Sequence, residues 1–402
     1  MLCVKRCFLY IETIKNNMKK NKTIFRILSF VLLILIIYIL ENKNFSLKIN
    51  EKKYAIQYIR KLLLNYLNNT NEYYFCNNKY PNISIIMPVY NCQNTILFSI
   101  TSIHKQNFNN YEIIMINDYS NDNTSKIINV LKQKDSRIRI INNKKNMGIL
   151  YSRSIGVLNS KGKYIFCLDN DDIFYDENLF SYIFNFSESL NFDIVEFKSF
   201  YVTKYDFNYK PSEIKDSPFN KHPINYTLTQ PNLGIFPISR NNKYYSNDFH
   251  IWGKSIKSSI YKKSLNALNE KNYSFYNCWT EDISILFIIF NIAQTFIFID
   301  LYGIIHLDFK KSTTYTLHQS KKLMSDLFLL DILIKYIQNI EVNKKYLLQK
   351  LKGIFKGKFI KYLNNEHKIY IKDIINKILL IKFLTKQEKN LTFYYMNKFS
   401  IK

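Results

Sequence analysis

The 402-residue sequence predicts an α/β protein with a doubly wound, mixed sheet, an N-terminal transmembrane anchor and a helical C-terminal tail. Three observations predict it. From residue 82 onward, short β-branched runs alternate with segments of helical periodicity. Polar and acidic residues gather where those runs end, the place where such sheets bind ligands. An uncharged apolar run stands apart near the N-terminus.

Ile83–Met87 is a short β-branched run ended by Pro88, as in a buried strand. Ile96, Leu97, Ile100 and Ile103 give Asn94–Lys105 a helical spacing. Glu112–Ile116 is a second strand, ended by Asn117 and Asp118, and Thr124–Lys134 is helical. Arg137–Ile141 follows as a third strand, Ile149–Asn159 as a helix and Tyr164–Leu168 as a fourth strand. That alternation implies parallel strands with helical crossovers. Asp176–Phe200 reads as a helix and a further strand at Asp193–Phe197. Tyr201–Asp248 reads as irregular, either facing an acceptor or simply a surface excursion. Phe287–Leu307 is apolar enough for a second span, but Asn291, Gln294 and Asp300 interrupt it, so a core helix followed by a strand is expected. Lys311–Lys402 carries Leu323, Leu327, Leu330, Ile334 and Ile337 at helical spacing in a Lys-rich background.

Thr23–Leu40 becomes uncharged from Ile27 and is just long enough to span a bilayer. Lys5, Arg6, Lys15, Lys19, Lys20, Lys22 and Arg26 precede it against Glu12, which places the N-terminus in the cytosol. A cleaved signal peptide fits less well, because the basic lead is long and no small-residue cleavage site follows Leu40.

The net charge of +26 comes from 57 Lys and Arg against 31 Asp and Glu. The basic residues are spread along the whole chain, and Lys, Asn, Ile and Tyr are abundant together. The charge therefore reads as compositional bias, and no nucleic-acid partner is expected. The six cysteines form no CxxC pair, and Cys167 sits in an apolar run as a small core residue would.

The polar strand ends carry the chemistry. Asp169, Asp171 and Asp172 lie within four residues after the fourth strand and repel one another. A divalent cation that also binds phosphates would offset that repulsion. A solvated acidic turn or a helix cap is the plainer alternative.

Four segments make the reading specific: SIIMPVYN (Ser84–Asn91), IIMINDYSNDNT (Ile113–Thr124), NMGILYSRSIG (Asn146–Gly156) and KGKYIFCLDNDD (Lys161–Asp172). In order and spacing they resemble a family 2 glycosyltransferase with a GT-A, Rossmann-like fold. The resemblance implies that Pro88, Tyr90, Asn91 and Asp118 hold the nucleotide, and that Arg153 belongs to the nucleotide-sugar site. It implies that Asp169 and Asp171 form the DxD that binds Mn²⁺ or Mg²⁺ and the sugar-nucleotide, with Asp172 in support. Asn117 departs from the Asp found in many relatives, and Tyr119 stands where a glycine is usual. Further on, Trp252 and Lys254 match a W-x-K segment, and Thr280–Asp282 matches a TED pattern. The resemblance makes Asp282 the catalytic base and Glu281 a supporting acid. Acids at this place also suit the N-terminus of the apolar helix that follows.

The expected domains are a cytosolic basic tail (1–22), a transmembrane signal anchor (23–40), a stem (41–80), a GT-A glycosyltransferase domain (81–310) and a helical Lys-rich region (311–402). The expected reaction is inverting, metal-dependent transfer from a nucleoside-diphosphate sugar, UDP-linked, to a glycan or lipid acceptor. The expected location is a Golgi or endoplasmic reticulum membrane, with the catalytic domain lumenal. A catalytically inactive nucleotide- or glycan-binding protein of the same fold is the alternative. The absence of QxxRW and of C-terminal spans argues against a processive polysaccharide synthase.

Overall fold

The computed structural model describes residues 80–203, 250–268 and 281–308, short strands at 214–216, 226–229, 239–240 and 243–244, and scattered helical positions between 325 and 376. The expected anchor, most of the stem and nearly all of the C-terminal region lie outside the described residues. Among the described residues no helix is long and apolar enough to cross a membrane.

The chain opens with β1 (Ile83–Val89), α1 (Ile96–His104), β2 (Tyr111–Asn117), α2 (Thr124–Lys134), β3 (Ile138–Asn142), α3 (Ile149–Leu158) and β4 (Tyr164–Cys167). β1 runs parallel to β2 and β4, and β2 runs parallel to β3. Every residue of β1 and β2 is buried, because helices cover both faces of a central parallel strand.

β5 (Ile173–Phe174), α4 (Leu179–Leu190) and β6 (Ile194–Thr203) follow. Beyond them come β7 (Ile214–Asp216), β8 (Tyr226–Thr229), β9 (Ser239–Arg240), β10 (Lys243–Tyr244), β11 (Lys254–Lys257), α5 (Ser258–Leu268), α6 (Glu281–Ile292) and β12 (Thr295–Asp308). The ten-stranded sheet has the order β3-β2-β1-β4-β11-β6-β12-β5, with β7 paired to β6 and β8 to β12.

One expectation needs correction. The stretch 201–248 is not wholly irregular: β6 continues to Thr203, and β7 and β8 join the main sheet. The W-x-K segment opens β11, which enters between β4 and β6 antiparallel to both. A four-residue strand is too short for its periodicity to stand out; its pairing comes from its neighbours. The expected core helix and strand within 287–307 are α6 and β12.

The end of the sheet away from the strand tips is closed by buried polar contacts. Ser84 Oγ donates to Glu112 Oε1 at 2.6 Å, and Lys161 N–H donates to the same oxygen at 2.6 Å. Gly162 N–H donates to Ser84 Oγ at 2.8 Å. A Cβ on Gly162 would lie 2.5 Å from the backbone nitrogen of Ser84, so only glycine lets the chain pass this close to β1. Gly162→Ala is expected to lower unfolding free energy by about 1–3 kcal/mol through forced displacement. A shift in denaturant midpoint at constant slope checks it; an unchanged midpoint contradicts the close approach.

Candidate active site

The site begins where β1 and β4 part. Their ladder stops at Ile86↔Cys167, with Leu168 N–H donating to Ile86 O at 3.0 Å. Pro88 is the next residue facing that way, and it has no N–H to continue the ladder. Its carbonyl instead accepts from Asn170 Nδ2 at 3.0 Å. The acidic turn after β4 is thus tied to the tip of β1.

The loops after β1 and β2 are fastened together. Asn91 N–H donates to Ser120 Oγ at 3.1 Å, and Asn121 N–H donates to Asn91 Oδ1 at 2.8 Å. Asn117 Nδ2 donates to Ser125 Oγ at 2.9 Å and to Asn142 Oδ1 at 3.1 Å, while its Oδ1 accepts from Ser120 N–H at 3.1 Å. A carboxylate makes no such donations, which accounts for an amide here. Asn91 and Tyr119 both adopt left-handed backbone, at φ 48° and 64°. For a tyrosine that costs on the order of 1–2 kcal/mol. Tyr90 and Tyr119 are 40% and 53% exposed, which leaves two aromatic faces open at adjacent strand ends.

Asp118 is buried, and its carboxylate is well occupied. Oδ1 accepts from Met147 N–H at 2.7 Å and from Asn143 Nδ2 at 2.8 Å; Oδ2 accepts from Gly148 N–H at 2.8 Å. Gly148 precedes α3 at φ 88°, a backbone conformation that a side chain would strain. Asp118 therefore sets the entry of α3, in addition to any ligand contact.

Arg153 on α3 is 1% exposed. Its Nη2 donates to Asp169 Oδ1 at 2.9 Å, and its Nη1 donates to Asp282 Oδ1 at 2.7 Å and to Glu281 Oε1 at 3.4 Å. One guanidinium thus joins the acidic turn after β4 to the start of α6. The sequence places Arg153 in the nucleotide-sugar site; the described contacts of its fork are with these protein carboxylates, and Nε is buried without a partner.

Asp282 Oδ2 accepts from Ile251 N–H at 3.1 Å. Both oxygens of this carboxylate face other elements of the fold, which argues against a purely local helix cap. Burial raises the Asp282 carboxyl above the usual range, against the opposing pull of Arg153. Glu281 is pushed up to about 8 by burial first and then by the charge of Asp282.

The acids after β4 are divided among different partners. Asp172 is fully buried; its Oδ1 accepts from Leu307 N–H at 3.0 Å and lies 2.9 Å from His306 Nδ1. Burial works against charge on His306, but Asp172, then Asp171 and Asp169, lift it to about 9. Among the described residues no side chain donates to Asp171. Burial and then the charges of Asp172 and Asp169 push its carboxyl well above the usual range. An oxygen donor in that situation fits a hard cation. Among the described residues no three His, Cys, Asp or Glu side chains make a complete metal cluster. Mg²⁺ sites built from one or two carboxylates plus substrate phosphates need no such cluster.

His306 stacks on Trp252 with ring centroids 4.8 Å apart, and Trp252 stacks on His250 at 4.6 Å. Lys254 is buried against Glu196. Cys167 is a buried free thiol, held up at about 12 by burial, as a core residue would be.

Residues 84–256 match the family model described as Glycosyl transferase family 2. This segment is thus similar to glycosyltransferase family 2. An uncharacterized glycosyltransferase of Rickettsia felis is 33% identical over 166 residues, which is 39% of this chain and 27% of that protein. The UDP-Glc:alpha-D-GlcNAc-diphosphoundecaprenol beta-1,3-glucosyltransferase WfgD of Escherichia coli is 39% identical over 97 residues, 24% of this chain and 38% of that one. The poly(ribitol-phosphate) beta-N-acetylglucosaminyltransferase TarP of Staphylococcus aureus is 27% identical over 205 residues, 48% of this chain and 59% of that one. The chain therefore spans less than two thirds of the length of each. The structure of S. aureus TarS 1–349 in complex with UDP-GlcNAc superimposes with a TM-score of 0.56 at 15% identity, covering 80% of this chain and 88% of that one. That likeness shows a shared fold, the GT-A-like mixed α/β sheet.

The fold gathers Asp169, Arg153, Glu281 and Asp282 into one contact network and sets Asp171 and Asp172 beside it. Pro88, Tyr90, Asn91 and Asp118 line the neighbouring strand tips. His306, His250 and Glu196 go unnoticed in the sequence. A lone histidine or acid in an apolar run is the only signal there, and it does not name a partner.

Arg153→Met is expected to cost about 3–5 kcal/mol of stability, because three carboxylates lose their buried cation. Arg153→Lys should recover only part of this, since one ammonium does not reproduce the two-ended fork. Denaturant melts compare the three proteins. A Met variant as stable as the wild type overturns the brace.

Proposed function

We propose that the chain transfers a sugar from a UDP-linked donor to a hydroxyl of a glycan or lipid acceptor, with inversion at the anomeric carbon and with Asp282 as base. The Arg153 fork carries this reading. It holds a carboxylate of the acidic turn after β4 and a carboxylate at the start of α6 on the two ends of one guanidinium. The UDP-GlcNAc bound in TarS and the UDP-Glc in the name of WfgD support a UDP-linked donor. The lipid-linked and polyol-phosphate acceptors in the names of WfgD and TarP support an acceptor of glycan or lipid type.

In the proposed step, an acceptor hydroxyl attacks the anomeric carbon from the face opposite the diphosphate. Its proton passes to Asp282, the new C–O bond forms, and UDP leaves with the electron pair of the broken bond. A carboxylate whose pKa lies above the ordinary range accepts that proton more readily. Arg153 keeps Asp282 oriented, and the elevated Glu281 leaves more of the guanidinium charge to Asp282 and Asp169. Asp169 and Asp171 would hold Mn²⁺ or Mg²⁺, which stabilises the charge of a diphosphate leaving group when bound. The apolar run at 23–40 supports attachment by a single-pass membrane anchor, with the domain across the membrane from the N-terminus.

The metal reading makes UDP raise the melting temperature of the full chain with Mn²⁺ or Mg²⁺ present and leave it unchanged in EDTA. Asp171→Ala should lose the metal-dependent part; equal stabilisation by UDP after chelation removes the metal role. Asp282→Asn should keep UDP-dependent stabilisation and lose about 10²–10⁴-fold in release of UDP from UDP-GlcNAc or UDP-glucose. Asparagine caps helices about as well as aspartate, so near-normal turnover would leave Asp282 a cap and remove the base.

A further inference from the structure

Both oxygens of the Asp282 carboxylate are held by other parts of the fold. Arg153 holds Oδ1, and the backbone N–H of Ile251 holds Oδ2 at 3.1 Å. Ile251 lies in the turn that leads into β11, so the position of this N–H depends on what holds that turn.

The turn is held from beneath by a buried charge. Lys254 is 3% exposed and folds back so that Nζ donates to the carbonyl of His250 at 2.9 Å. That carbonyl belongs to the same peptide unit as the Ile251 N–H. Fixing the carbonyl oxygen therefore fixes the direction of the N–H, because the peptide is planar. Lys254 Nζ also lies 3.0 Å from Oε2 of Glu196 on β6, which is 6% exposed. Lys254 and Glu196 face each other directly in the antiparallel register of β11 and β6. Oε2 has no directional hydrogen bond, so the contact is held by charge. Gly253, at φ 75°, completes the turn, and its carbonyl accepts from Phe197 N–H, next to Glu196, at 3.0 Å.

A buried ion pair is costly to desolvate, and an apolar pair of similar size is often no less stable. Apolar residues already fill the neighbouring Ile194↔Ile256 position. Stability alone gives no reason for a Lys–Glu pair two residues away from it.

We propose that Glu196 and Lys254 form a positioning pair for the base: Glu196 holds Lys254, Lys254 holds the His250–Ile251 peptide, and that peptide orients the Asp282 carboxylate. The inference rests on Asp282 being the base. Neither Glu196 nor Lys254 touches the reacting atoms; both act through the peptide. The charged and titratable groups around Asp282 are Arg153 from α3, Asp169 after β4, Glu281 on its own helix, Lys254 from β11, Tyr261 from α5 and Cys167 from β4. The cation on Lys254 also favours the ionised form of Asp282.

The test compares full-length wild type, Glu196→Gln, Lys254→Met/Glu196→Gln, Lys254→Arg and Asp282→Asn. The readouts are UDP affinity and the pH dependence of kcat for UDP release from UDP-GlcNAc or UDP-glucose. The double variant leaves no unpaired buried charge and is expected to fold. Its kcat should fall about 10–100-fold, the scale of a small misplacement of a reacting group. UDP affinity should stay within about twofold, because the nucleotide residues lie on other strands. The acid limb of its kcat profile should move to higher pH, since the cation that favours ionised Asp282 is gone. Glu196→Gln, which keeps the shape, should show the same split to a smaller degree, and Lys254→Arg should restore part of kcat. A merely structural pair would lower melting temperature, kcat and UDP affinity together and leave the acid limb in place; that outcome overturns the proposal. If Asp282→Asn is inactive while the double variant matches wild type in kcat and acid limb, the positioning role alone falls. If Asp282→Asn turns over at the wild-type rate, or the wild type releases UDP from neither donor, the base reading fails and the positioning role falls with it.

Discussion

A guanidinium sealed from water stays charged, so its burial is tolerable only if carboxylates come to it. Arg153 is in that position, and burial works against its charge until Asp282, Asp169 and Glu281 outweigh it. Much of the site's architecture answers to this demand. β4 must end beneath α3 for Asp169 to reach Nη2, and α6 must begin beside α3 for Asp282 to reach Nη1. The acids in turn are too close together to stay charged without the cation. A cluster of this kind is either complete or strongly unfavourable, so it ties together segments that lie far apart in the chain.

The remaining acids show how one short turn divides into separate tasks. Asp169 faces Arg153, Asp172 is committed to His306 and the Leu307 N–H, and among the described residues Asp171 is left without a side-chain donor. Identical side chains thus differ in chemistry through their neighbours. His306 comes from β12, the neighbour of β5, and carries positive charge into the acidic turn. The stack of His250, Trp252 and His306 links that turn to the segment leading into β11. The same segment supplies the Ile251 N–H to Asp282, so both groups of acids lean on one short stretch of chain.

The strand-tip loops use backbone strain in the same region. Asn91, Tyr119 and Gly148 all have positive φ; Asn91 follows the exposed Tyr90, and Tyr119 is itself exposed. Side-chain to backbone hydrogen bonds across the loops hold these conformations in place. Asp118 accomplishes the equivalent for the start of α3, and this fixes the helix that carries Arg153. Precision at the buried fork thus depends on hydrogen bonds at the exposed tips.

Much of the sheet was legible in the sequence. β1 to β4 follow from β-branched runs separated by helices, because burial on both faces selects such residues and the crossover rule sets their direction. The clustering of acids after β4 and at the start of α6 was visible too, since strand ends and helix starts are local features. The entry of β11 between β4 and β6 was not, because four residues carry no readable period and the pairing is made by distant strands. The partners of Arg153, the reach of His306 to Asp172 and the pairing of Lys254 with Glu196 were not legible either. Periodicity reports which side chains turn inward. Which charge meets which inside the fold depends on how separate segments pack, and only the tertiary structure decides that.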